Sequence, residues 1–160
     1  MYMNSLQAGH GSGLPAPQIY SINSMTAKAL LDRIKKIRKA IDYRKTKIDI
    51  LGSQAENASA RLAGIPHGSS TDPSPMATAI CKKIDLEQEI EDLTTERNSL
   101  IAQIDLLENN DLSRLLILRY VQEAPWDDIM AEMGYCHSHI FRMHRTATVQ
   151  LDALLKDETK

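Results

Sequence analysis

Residues Met130–Ala147 read MAEMGYCHSHIFRMHRTA. An apolar helix end runs into Gly134, and a second helical stretch begins after Cys136. Glycine just past a helix supplies the left-handed conformation that ends it. Tyr135 can then pack back on the core. From Cys136 to about Leu155 the inward stripe is Ile140, Met143, Ala147, Leu151 and Leu154. Upstream, Trp126, Ile129, Met130 and Met133 line one face of a short helix. Pro125 suits its first turn, because the missing N–H would be unpaired there anyway. Short helix, glycine turn and longer helix have the spacing of a helix-turn-helix. Trp126, Ile129, Gly134, Ile140 and Ala147 are its expected structural residues.

At 100° per residue, the face opposite Ile140 and Ala147 carries Ser138, Arg142, Arg145 and Val149, with His137 and Phe141 on one flank and His139 on the other. These residue types suit the major groove of double-stranded DNA. Arginine bonds bidentately to guanine, serine bonds many base edges, and phenylalanine touches a thymine methyl. The expected DNA-binding residues are therefore His137, Ser138, Phe141, Arg142 and Arg145. The same stretch argues against chemistry of its own. Cys136, His137, His139 and His144 point to different sides of one helix, whereas zinc needs converging ligands. A cysteine nucleophile needs an orienting third group and a pocket. No metal, cofactor or catalytic residue is expected, and His144 is read as a partly buried edge residue.

Further upstream, Asn110 or Asp111 can cap a helix through Tyr120 that buries Leu112, Leu115, Leu116 and Leu118. Before it lie two long stretches with heptad stripes. In the first, Leu30, Ile34, Ile37, Ile41, Ile48, Leu51, Ala55, Ala58 and Leu62 step by fours and threes, with Arg44 interrupting the seam. In the second, Leu86, Ile90, Leu93, Leu100, Ile104 and Leu107 do the same, with Arg97 as the interruption. At 1.5 Å per residue the two helices are each about 50 Å long. The segment AGIPHGSSTDPSP, residues 63–75, is a Pro/Gly/Ser-rich loop between them. The first helix is basic between Lys28 and Lys47, and the second is acidic from Asp85 to Glu108. Matched lengths, opposite charges and a short loop predict an antiparallel coiled-coil hairpin.

The organisation is thus all-α. Residues 1–25, rich in Gly, Ser, Pro and Asn, are expected to be disordered, with Met25 a candidate alternative start. A hairpin occupies 26–109, with helices about 27–62 and 76–108. A helix-turn-helix domain occupies 110–156. Aromatic residues make up only 4% of the 160, too few for the core of a large enzyme. Two distant cysteines fit a reducing compartment, and no apolar run is long enough for a membrane span. The N-terminus lacks the basic-then-apolar pattern of a secretory signal.

The run LRYVQEAPWDDIMAEMGYCHSHIFRMHRTA resembles the sigma-70 region-four-like helix-turn-helix of phage and prophage proteins from Gram-positive bacteria. These are late-gene transcriptional regulators of the ArpU/RinA type and a related phage family. Their motif takes the form RY…TWEEIA..MGYS.RHV.RLH..AL. It is matched here by Arg119, Tyr120, Trp126, Asp127, Asp128, Ile129, Met133, Gly134, Tyr135, His139, Ile140, Arg142, Met143, His144 and Ala147. The upstream helical pair is also similar, so the resemblance spans about residues 27–155. Pro125 and Cys136 stand where the family tends to have Thr and Ser caps, at a cost of about 1 kcal/mol each. Met130 stands where Ala is usual.

The resemblance implies a DNA-binding regulator of late-gene expression in the cytoplasm of a bacterial host cell, with no membrane association. One feature runs against strong DNA binding: from Asp111 onward six basic residues meet eight acidic ones. Homodimerisation through the coiled coil, or docking on RNA polymerase as a sigma region four does, would offset it. Two other readings remain open at the level of sequence. One is a DNA-packaging subunit of the small-terminase kind, and the other is a coiled-coil protein-interaction module.

Overall fold

In the computed structural model, residues 25–62 and 75–157 are described. Every regular element among them is helical. Helix α1 spans Ala27–Leu62 and α2 spans Pro75–Asp105, 36 and 31 residues respectively. Helix α3 covers Asn110–Leu116 and continues as a π-helical turn, Ile117–Val121. Helix α4 is Trp126–Met133 and α5 is His137–Asp157. The expected disorder of 1–25 and the loop 63–75 lie almost wholly outside the described residues. The exceptions are Met25, which is half-buried and packs on the core, and Pro75, which already belongs to α2.

Helices α1 and α2 pack against each other as the heptad stripes require. Leu30, Ile34, Ile37 and Ile41 of α1 are buried, as are Leu100 and Ile104 of α2 and Leu107 just beyond it. Opposite charge contributes as expected. Arg33 makes a forked contact with Glu96, Nε and Nη2 to the two carboxylate oxygens at 2.7 and 2.8 Å. Arg44, the seam interruption of α1, turns out of the seam to Glu89 at 2.5 Å. Each of these partly exposed pairs is worth under about 1 kcal/mol, so their main effect is to fix which faces meet.

The buried residues of the hairpin base and of the three shorter helices form one cluster. Residues 26–109 and 110–156 therefore differ in sequence pattern but share a core. Leu31 marks the join. It lies off the heptad seam, beside Leu30, yet is only 2% exposed. Helix α1 touches the π turn and α5 as well as α2, and those elements cover its second apolar face. At the N-terminus of α1, the Thr26 hydroxyl accepts from the Ala29 N–H. Asp152 of α5 accepts from the Ala27 N–H at 3.1 Å, satisfying one of the orphan donors of that helix end.

Local boundaries differ from the sequence expectation for identifiable reasons. The cap of α3 is Asn109 rather than Asn110 or Asp111, and its side chain accepts from the Asp111 N–H at 2.9 Å. Helix α2 stops at Asp105 rather than 108, where the Ser113 hydroxyl reaches back to the Ile104 carbonyl at 3.1 Å. Pro125 sits one position earlier than expected. It is the extended cap residue of α4 and offers no side-chain acceptor. On α5 the buried residue after Leu151 is Leu155, while Leu154 is half-buried, because the stripe closes with a step of four. No helix among the described residues is long and apolar enough to cross a membrane.

A candidate nucleic-acid interface on the second helix of the helix-turn-helix

The turn into α5 is built on Gly134, whose φ is +71°. A side chain there would carry a left-handed strain of roughly 1–2 kcal/mol, so the glycine is required by backbone conformation. Its N–H closes α4 on the Met130 carbonyl. Tyr135 then lies half-buried, and its hydroxyl donates to Asp111 at 3.3 Å, tying the turn to the start of α3. Arg114 of α3 pairs with Glu132 of α4 at 2.9 Å. These contacts tie the turn and α4 to α3.

Ile140 and Ala147 are completely buried on the inner side of α5, as is Ile129 of α4. On the outer side, His137, Ser138, Phe141, Arg142 and Arg145 are all exposed. The five candidate contact residues are thus brought onto one accessible surface, and the structural residues Ile129, Ile140 and Ala147 face away from it. Val149 extends the same strip and is also exposed.

Trp126, expected as a structural residue, packs at the edge of the core. It is half-buried, stacked between Phe141 at 4.6 Å and the Arg119 guanidinium at 4.6 Å, with His144 edge-on at 5.4 Å. The cause lies in the π turn. The Gln122 N–H bonds to the Ile117 carbonyl, one residue beyond helical spacing, and Glu123 adopts a left-handed φ of 58°. Leu118 is thereby buried while Arg119 swings over the indole and donates to the Ala124 carbonyl. Phe141, whose ring also packs on His137 at 4.3 Å, is thus held by an aromatic underlayer.

His139, on the flank of the strip, has a structural role of its own. Its Nδ1 lies 3.0 Å from Arg142 Nη2, and its ring stacks on Tyr135 at 4.6 Å. The imidazole steers the Arg142 guanidinium without consuming its other donors. The i, i+3 spacing of His139 and Arg142 is the sequence signal for this pair. Cys136 has a free, exposed thiol, and its backbone carbonyl accepts from the His139 and Ile140 N–H groups. Among the described residues, no three His, Cys, Asp or Glu side chains gather as metal ligands would.

His144 is the half-buried edge residue expected. Its Nε2 and the Tyr120 hydroxyl lie 3.0 Å apart and share a hydrogen bond. Burial first, then the Arg119 and Lys35 cations, hold its pKa below the usual 6.5. The folded protein therefore resists a proton that the unfolded chain accepts. Stability is full above about pH 6.5 and declines as pH falls below it. The thermal midpoint of the wild type is expected to drop between about pH 7 and pH 5 more steeply than that of His144→Gln. Parallel pH profiles for the two proteins would contradict this role.

The fold and the surface define an all-α protein in which a long helical hairpin carries a helix-turn-helix. Residues 76–152, from the first turn of α2 through most of α5, match the model of a family described as "Protein of unknown function (DUF1492)". No curated protein and no solved structure matches the chain.

Proposed function

We propose that this chain is a sequence-specific binder of double-stranded DNA, acting as a transcription regulator of the phage or prophage late-gene type. The observation that carries this reading is the division of α5. Ser138, Arg142 and Arg145 form an open strip immediately after a left-handed glycine turn, while Ile140 and Ala147 are fully buried behind them. That is the arrangement by which a recognition helix presents its first turns to a major groove. The resemblance to the region-four-like helix-turn-helix of ArpU/RinA regulators supports the same reading and suggests contact with RNA polymerase. The action is binding, with no catalytic step and no cofactor.

The acidic balance of α3–α5 makes one copy a weak electrostatic binder. A second copy would double the phosphate contacts. The hairpin exposes Tyr43, Ile50, Ile80 and Ile84 away from the shared core. Apolar surface of this kind favours self-association and supports a homodimer through the hairpin.

The test is selection from a random duplex library, followed by gel-shift titration at low and physiological salt. One discrete site should be enriched and bound at least about 10³-fold more tightly than unrelated DNA. Failure to retain any duplex at low salt would end the proposal. Light scattering on the same sample should give a dimer. A ring-sized assembly would instead favour a DNA-packaging subunit.

A further inference from the structure

We propose that the groove where α1, α2 and the π turn meet is a binding site for a phosphate group. It does not rest on base reading by α5. The groove has a volume of about 450 Å³ and is lined by Arg38, Asp42 and Lys45 of α1, Arg97 of α2, and the backbone turn at Val121 and Gln122. Arg97 occupies a position on α2 where the heptad calls for Leu or Ile. Unlike Arg44, it finds no carboxylate among the described residues. Its Nε is buried and has no hydrogen-bond partner among the described residues. Leaving a buried donor unpaired costs about 1–3 kcal/mol, and more for a charged group. A phosphate bound at the outer edge of the same guanidinium offsets part of that cost by stabilising its charge.

The neighbouring charges define the ligand. Arg38 is already committed, donating to the Val121 carbonyl at 3.0 Å and facing Glu123 at 3.8 Å. Asp42 lies within ion-pair distance of neither Arg97 nor Lys45 among the described residues. Three cations therefore line the groove against one carboxylate, Asp42, and the uncommitted donors among the described residues belong to Lys45 and Arg97. A guanidinium edge beside a mobile ammonium is the pairing that tetrahedral oxyanions favour. The groove is open to solvent, so the phosphate can belong to a free nucleotide or to a DNA backbone.

The experiment uses the full chain and two readouts. In the first, inorganic phosphate is titrated while the Arg97 Nε–Hε resonance is followed by NMR, with chloride at matched ionic strength as control. A saturable shift with phosphate alone is expected, weakened in Lys45→Ala and absent in Arg97→Leu. Leucine suits the seam position, and Lys45 is exposed, so neither change should unfold the protein. In the second, the salt dependence of DNA binding is compared for wild type and Arg97→Leu. A slope reduced by about 1 assigns the phosphate to DNA. An unchanged slope with a saturable NMR shift assigns it to a free ligand. No saturable shift with phosphate overturns the proposal. The NMR readout stands even if no specific DNA site exists.

Discussion

Leu31→Ala will destabilise the whole molecule by about 2–5 kcal/mol, the usual cost of emptying a buried leucine site. The expectation follows from where Leu31 sits. An isolated two-helix hairpin has one seam, and Leu31 lies beside it rather than on its heptad positions. In the structure that side chain is 2% exposed, in the same cluster as Leu116 of α3 and Leu151 and Leu155 of α5. If hairpin and helix-turn-helix were separate units joined by a linker, Leu31 would be a solvated flank and its truncation would cost under about 0.5 kcal/mol. Urea unfolding followed by Trp126 fluorescence tests this cleanly, because Trp126 is the single tryptophan and lies in the helix-turn-helix. A substitution in α1 should move a transition reported from α4. A Trp126 transition that stays where it is in the wild type would show that the two parts fold independently.

The same residue explains how much of the fold was legible. Heptad spacing is a local signal, so α1, α2 and their pairing could be read from Leu30, Ile34, Ile37, Leu100 and Ile104. Charge supplied the antiparallel partner, and Arg33–Glu96 and Arg44–Glu89 are its outcome. The docking of α3–α5 on α1 was not legible. A second apolar face announced by Ala27 and Leu31 alone looks like a solvated flank until the covering helices are in place. The π turn was equally silent. A hydrogen bond from Gln122 to Ile117 has no residue signature, yet it decides that Leu118 is buried and that Arg119 stacks on Trp126. The strip on α5 was legible because helical geometry alone sorts Ser138, Arg142 and Arg145 from Ile140 and Ala147. What the wheel omitted was the support beneath it, namely Tyr135 on His139 and His139 on Arg142.

Replacing Arg142 and Arg145 together by alanine will abolish discrimination between the selected DNA site and unrelated duplex. Each arginine that bonds a guanine edge bidentately is worth about 1–3 kcal/mol of discrimination, so losing both removes most of the specificity a single helix-turn-helix commands. The double variant should fold normally, since both side chains are exposed and α5 keeps its buried stripe. Salt dependence separates the two jobs these residues can do. If they read bases, specific affinity collapses while the salt slope of non-specific binding is nearly unchanged. If they only neutralise phosphates, affinity falls on all sequences alike and the slope drops by about 2, one for each arginine–phosphate pair removed. His139→Ala adds a graded control. It leaves the Arg142 charge in place but removes the ring that holds the guanidinium at 3.0 Å. Specific binding should weaken by less than for Arg142→Ala, with no change in slope. Fluorescence anisotropy across a salt series measures all three variants. Retained discrimination in the double variant would mean that this strip does not read DNA, however well it is exposed.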